Sequence, residues 1–413
     1  MTRTVSRFLV FAVLLLHSML AAADVVKIVV HDMIHPISDE FIGRALDKAR
    51  DEKADAVLIE LSTPGGLADS TRSIVQKILA SPVPVIVYVA PSGARAASAG
   101  FFILESADVA AMAPGTNTGA AHPVQLGGKE MDPVMKQKVE NDSAAFMRSY
   151  VDKRGRNVQV AESAIRESKS FTDQEALNQH LIDVIARDQA ELLKTLDGRT
   201  VTRFDGSKTT LHLAGKNVAL LDMSLKQRIL DVIMDPNVAF ILFAIGMLAL
   251  YVEFNHPGAV VPGVVGFVFI LLAVFAFNIL PTRYAAVALI LASFILFALE
   301  AKLASHGVLA IGGIACMVIG ALLLVDAPIP EMRVHLLTAF AVAVPVGLIT
   351  VFLVGIVLRA RRNKVVTGTQ GLIGEIGTAQ SPLRPQGKVF VHGELWNAVA
   401  SGDVEAGEQV RVT

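Results

Sequence analysis

From Val25 to about Ala186, short apolar runs alternate with stretches of helical period. VVKIVV (Val25 to Val30), DAVLIEL and PVIVYVA are apolar and rich in β-branched residues, as strands buried on both faces require. Between the first two, Phe41, Ile42, Ala45 and Leu46 recur on one face of a helix from Ser38 to about Asp51. A second helix is expected from about Leu67 to Leu79, and another strand over DVAAMA, Asp108 to Ala113. This alternation predicts an α/β domain with a mainly parallel sheet, over residues 24–200.

The pattern then changes. Leu225, Ile229, Val232 and Ile233 recur at helical spacing, with Lys226, Gln227, Arg228 and Asp231 between them. Residues 201–235 thus read as a linker with an amphipathic helix, laid on a membrane surface or packed on the preceding domain. Five long apolar runs follow within 236–358: about Val238 to Phe254, Val260 to Ile279, Tyr284 to Lys302, Val308 to Val325 and Leu336 to Leu358. Glu253 and Glu300 lie near the ends of these runs, where snorkelling to the interface is expected. The tail, 365–413, alternates apolar residues with glycine turns in GLIGEIGTA, KVFVHGELWNAVA and EQVRVT, a strand-rich pattern.

Composition agrees with a membrane protein: of 413 residues, 53% are hydrophobic and only 18% charged. A net charge of -1 argues against an electrostatic nucleic-acid binder. The lone cysteine, Cys316, falls in an apolar run, which leaves no disulfide framework and no cysteine zinc site. No metal or cofactor motif stands out, and Gly368, Gly371 and Gly374 lack the strand–helix context of a nucleotide fingerprint. Arg3 and Arg7, the apolar core Phe8 to Leu16 and Ala21-Ala22-Ala23 read as an export signal over 1–23. Arg359, Arg361, Arg362 and Lys364 place the end of the last span in the cytoplasm. An odd number of spans then puts the α/β domain outside, in agreement with the signal.

Candidate chemistry concentrates at Ser98, in the run A-P-S-G-A-R-A-A-S-A-G from Ala90 to Gly100. Small neighbours leave a carbonyl room to reach a serine hydroxyl. The run and the S-T-P-G-G loop, Ser62 to Gly66, both follow strands, at the sheet edge where ligands collect. Gly65 and Gly66 can turn bare N–H groups toward a developing oxyanion, and the Ala99 N–H at a helix start is a natural second donor. The base that such a site needs is left open between a lysine and a histidine: Lys129, Lys136, Lys138 or His122.

The P-G-G loop, A-x-A-A-S-A-G around Ser98, A-M-A-P-G-T-N-x-G-A and R-G-R-N (Arg154 to Asn157) resemble the membrane-bound NfeD proteins. These are ClpP-class serine proteases of crotonase-like fold, often encoded beside a stomatin/SPFH protein. The resemblance implies a serine–lysine dyad, and alignment on R-G-R-N puts Lys138 in the lysine position. It also implies that the tail is a small OB-like β-barrel around Trp396, suited to docking a partner. His122 follows Ser98 at about the spacing of the histidine in soluble ClpP peptidases. The acidic residue that would orient it has Lys169 in its place, and Asp173 reads as a helix start.

The expected protein is therefore an α/β ClpP/crotonase-like protease domain followed by a polytopic α-helical membrane domain and an OB-like tail. The expected function is a membrane-anchored serine endopeptidase, with Ser98 and Lys138 catalytic, that cleaves apolar segments of membrane-associated proteins. A stomatin-type membrane protein is its expected partner or substrate, membrane lipid its surroundings, and a homo-oligomer its assembly. The alternative is a non-catalytic membrane scaffold that organises a stomatin-like partner.

Overall fold

The computed structural model describes residues 24–124, 131–255, 258, 260–303, 305–327, 332–362 and 371–413. The expected export signal, Lys129, Lys364 and Gly368 lie outside these residues. Contacts divide the chain into two units, Met1–Leu291 with Met317–Val342 and Ala292–Cys316 with Ala343–Thr413.

In the first unit, β1 (Val25–Val30), β2 (Ala56–Leu61), β3 (Val85–Val89), β5 (Val109–Met112), β8 (Val184–Ile185) and β11 (Val218–Leu220) form one sheet. Its order is β11-β1-β2-β3-β5-β8, and every pairing is parallel. Both faces are covered: Val57, Ile59 and Leu61 enter one core cluster, while Ala56 and Leu58 enter another. That is why these strands read as unbroken apolar runs rather than alternating ones.

α1 (Pro36–Glu52) starts where its sequence allows. Pro36 needs no N–H partner, and the His35 ring accepts from Ile37 N while Ser38 Oγ accepts from His35 N. Its stripe of Phe41, Ile42, Ala45 and Leu46 is buried against the sheet, as the periodicity requires. α2 (Ala68–Ala80) buries Ile74, Val75 and Ile78 in the same core.

This sheet extends beyond the expected domain end at residue 200. β9 (Thr200–Thr202) and β10 (Lys208–Thr210) make a hairpin, and β11 then returns to lie beside β1, with Val25 opposite Val218. The segment taken as linker is thus partly sheet, because β11 covers an edge of β1 that would otherwise be unpaired. A second, three-stranded sheet joins β4 (Arg95–Ala97), β6 (Asn117–Gly119) and β7 (Ser170–Thr172).

α8 (Leu225–Met234) precedes five apolar helices: α9 (Pro236–Asn255), α10 (Val261–Ile279), α11 (Tyr284–Leu303), α12 (Val308–Leu323) and α13 (Leu336–Arg362). They fall close to the five expected runs. Among the described residues, Pro236–Phe254 and Val261–Ile279 are long and apolar enough to cross a membrane, and the other three have shorter apolar cores. α9 and α10 approach closely where Gly246 meets Gly266, since a Cβ on either would lie within 3 Å of the other's carbonyl oxygen.

In the second unit, Glu300 does not reach outward. Its carboxylate accepts from Gly307 N (2.9 Å), Leu309 N (3.0 Å) and Ala310 N (3.2 Å), so it caps the start of α12. The snorkelling expected of it is replaced by satisfaction of otherwise orphaned helix N–H groups. The tail is a four-stranded antiparallel sheet of β12 (Ile376–Ala379), β13 (Gln386–Val391), β14 (Glu394–Val399) and β15 (Gln409–Arg411). Its order, β14-β13-β12-β15, leaves β14 and β15 at opposite edges and unpaired with each other. The described strands therefore make an open sheet over a small core of Leu372, Ala379, Leu383, Val389 and Val391, not a closed barrel.

Candidate active site

Ser98 sits between β4 and α3 (Ala99–Ser106), with φ 51° and ψ −110°. Residues other than glycine rarely hold such a backbone, and they keep it only where the surroundings fix it. Here they do: Ser98 N donates to Gly119 O (3.0 Å), and Ser98 O accepts from Phe101 N (3.0 Å). Ala97 N donates to Thr63 O (3.1 Å), which ties the turn to the loop after β2. Gly100 admits the resulting close approach, since a Cβ there would lie 2.6 Å from Thr63 Cγ2. The sharp strand-to-helix turn lifts the Ser98 side chain to the wall of a cavity of about 270 Å³.

The glycine loop separates its two members. Gly65 N donates to Thr63 Oγ1 (3.1 Å), so that N–H is spent on the loop itself. Ile34 N donates to Gly65 O (2.9 Å) and Leu67 N donates to Ile34 O (2.8 Å), a parallel bridge that leaves the Gly66 N–H on the opposite side. The bridge also demands glycine, since a Cβ on Gly66 would lie 2.1 Å from Ile34 O. Gly66, Ser98 and Ala99 all line the cavity, whereas Gly65 does not. Of the expected oxyanion donors, Gly66 and Ala99 thus share the cavity with Ser98, while the Gly65 N–H is held within its own loop.

His122 lines the same cavity, and its Nδ1 lies 2.8 Å from Ile165 O. A carbonyl only accepts, so Nδ1 carries a proton and donates it to Ile165 O. Among the described residues no carboxylate bonds to the ring: Lys169 pairs with Glu167, and Asp173 opens α6 (Asp173–Asn178). Lys138 lies on α4 (Pro133–Val151), which Asp132 caps by accepting from Val134 N and Met135 N. Its neighbour Val139 lines the cavity, but the Lys138 side chain is exposed and does not. The first turns of α4 stand clear of the core, with Val134 75% and Met135 49% exposed.

Several wall residues had no local signal. Phe102 and Phe146 stack with centroids 6.2 Å apart, and the Arg72 guanidinium lies 4.5 Å over the Phe146 ring while pairing with Asp142. Met332, buried and just ahead of α13, completes the wall. The cavity is therefore mainly apolar, with an ion pair at its side. Met332 comes from a part of the chain that no sequence pattern links to Ser98.

R-G-R-N is structural. Arg154 pairs with Asp108 in full burial, Arg203 joins the same carboxylate (2.6 Å), and Arg156 binds Asp183 (3.1 Å) and the carbonyls of Glu105 and Ala107. Asn157 caps α5 (Val158–Arg166) by accepting from Val160 N. Together they pin the corner after α4 to the start of β5, which holds the helix bearing Lys138 and Phe146 against the sheet.

Comparison with known proteins covers nearly the whole chain. Residues 24–214 match the family described as NfeD1b, N-terminal domain, 237–357 the NfeD integral membrane domain, and 369–413 the NfeD-like C-terminal, partner-binding domain. The chain is 37% identical over 388 residues to the membrane-bound protease PH1510 of Pyrococcus horikoshii, covering 91% of this chain and 87% of that protein. It is 28% identical over 392 residues to the membrane protein NfeD1b of Bacillus subtilis, covering 90% of this chain and 86% of that one. A solved structure, the 1510-N membrane protease specific for a stomatin homolog from Pyrococcus horikoshii, is 35% identical with a TM-score of 0.45. That match covers 51% of this chain and 98% of the other.

Proposed function

This chain belongs to the NfeD family, and from that premise we propose that it is a membrane-anchored serine endopeptidase of ClpP class. The observation that carries the reading is Ser98, held in a strained turn at the start of α3, on an apolar cavity it shares with Gly66 and Ala99. Ser98 Oγ gives its proton to the base and attacks the scissile carbonyl, and the oxyanion is received by the N–H groups of Gly66 and Ala99. Its collapse breaks the C–N bond, and the amine leaves with the proton from the base. The acyl-enzyme is then hydrolysed by water with the same base.

That base is Lys138. To accept a proton its amine must be neutral, which calls for a desolvated setting. The exposed start of α4, with Val134 and Met135 in water, is the surface that a substrate segment or a second copy of the chain would cover. Covering it removes water from Lys138 and completes the dyad. His122, already oriented by Ile165 O, lines the substrate path.

Phe102, Phe146, Val139 and Met332 favour an apolar segment as substrate. The relative PH1510 is named as a protease, and the related solved structure as specific for a stomatin homolog. A stomatin-type membrane protein is accordingly the proposed substrate or partner, with the open tail sheet as its docking module. The protease domain faces outside the cytoplasm and the tail inside.

The test is cleavage of an apolar, stomatin-derived peptide by the reconstituted chain. Ser98→Ala and Lys138→Ala each abolish it, and His122→Ala keeps most of it. Normal cleavage by Lys138→Ala with a dead His122→Ala overturns the dyad. A wild-type chain that binds the partner and never cuts it is the scaffold instead.

A further inference from the structure

α8 has two faces of opposite character. Gln227, Ile233 and Met234 are buried, Gln227 Nε2 donates to Glu40 on α1 (3.2 Å), and Asp231 accepts from the His35 ring (3.1 Å). This side fastens the helix to the α/β domain. On the other side Leu225, Ile229 and Val232 form a single stripe at i, i+4 and i+7, exposed by 75%, 51% and 51%. At 100° per residue, Arg228 falls on one flank of that stripe and Lys226 on the other, and both are exposed.

The chain also locates this stripe. Asp235, extended at φ −65° and ψ 125°, ends α8, and its carboxylate accepts from Asn237 N (2.7 Å) and Val238 N (3.1 Å) to start α9. The match to an integral membrane domain begins at residue 237. α8 thus ends at the point where the chain enters the bilayer, and it touches both α9 and α10. Three large aliphatic side chains in one exposed row are unfavourable in water but suited to the acyl–headgroup boundary. Cations on both flanks have the length and charge to reach lipid phosphates.

We propose that α8 is a membrane-surface helix, with Leu225, Ile229 and Val232 in the acyl–headgroup boundary and Lys226 and Arg228 on anionic headgroups. It would hold the α/β domain against the bilayer through His35 and Gln227, whatever chemistry Ser98 performs. Because α1 leads from β1 and Ile34 bridges Gly66, this attachment lies directly behind the glycine loop.

The full chain, with Cys316→Ala to remove the native thiol, is tested in nanodiscs carrying spin-labelled lipid. Ile229→Cys is labelled with a fluorophore, and Asp205→Cys, on an exposed turn, is the reference. The proposal expects the probe at 229 to be quenched by spin-labelled lipid and shielded several-fold from iodide, with the reverse at 205. Val232→Cys repeats the measurement should the first substitution disturb folding. Equal iodide access at 229 and 205 overturns the proposal, as does shielding at 229 from both quenchers, which means a protein cover. If exchanging phosphatidylglycerol for phosphatidylcholine leaves the signal at 229 unchanged, the headgroup part of the proposal fails.

Discussion

Glu105 lies about two turns past Ser98 on α3, has no exposed surface, and neither carboxyl oxygen has a hydrogen-bond partner among the described residues. Burial pushes its pKa from 4.5 up to about 8, with Arg156 opposing and Asp183 adding to the rise. The native state therefore keeps the proton through neutrality, while the unfolded chain releases it near the ordinary value. Since the unfolded state binds fewer protons in this window, the stabilisation is complete below pH 4.5 and is lost as pH rises to about 8. At 1.36 kcal/mol per pH unit, this gap amounts to roughly 5 kcal/mol. Glu105→Gln keeps the shape and removes the titration. Its buried amide is also unpaired, so the variant starts lower at acid pH, and the slope is what tests the reasoning. For a domain of this size the wild-type melting temperature should fall by about 10–15 °C between pH 5 and 9 from this group alone. Scanning calorimetry of both proteins in detergent reads the difference, which also cancels the smaller effect of Asp32, raised by burial in the same sense. Parallel pH profiles for wild type and Glu105→Gln would refute the assignment.

Asp108→Ala strips the buried carboxylate from Arg154 and Arg203 and should cost about 3–5 kcal/mol in urea unfolding; a loss under about 1 kcal/mol would contradict the pinning role. Gly66→Ala forces a methyl group against Ile34 O and displaces the proposed oxyanion donor, so kcat for peptide cleavage should drop about 10²- to 10³-fold. An unchanged rate would remove Gly66 from the site. Met332→Ala should raise KM for an apolar peptide roughly tenfold with kcat little changed, and an equal loss in both would point to misfolding rather than a missing wall.

Much of the α/β domain was legible because its elements are encoded locally. Strands buried on both faces must be apolar throughout, and α1 must carry Phe41, Ile42, Ala45 and Leu46 on one side. The candidate nucleophile was legible for a related reason, since only a run of small residues leaves space around a hydroxyl after a strand. That the Gly65 N–H is held within its own loop was not, because it turns on Thr63 Oγ1 and on the bridge to Ile34. Nor was the role of R-G-R-N, whose arginines meet Asp108, just ahead of β5, and Asp183, just ahead of β8, which no spacing rule connects to them.

The sequence by itself determined the succession of an α/β domain, an amphipathic helix, five apolar helices and a strand-rich tail, because side-chain periodicity follows directly from backbone geometry. It also singled out Ser98 and the small-residue loops around it. Only the tertiary structure decided that β11 returns to β1, that Glu300 caps a helix, and that Met332 joins the wall at Ser98. It alone left Lys138 and the start of α4 in solvent and the tail sheet open. Each of these outcomes depends on which distant groups satisfy a hydrogen bond or fill a space, and such partners are fixed by the packing of the whole chain rather than by neighbours in sequence.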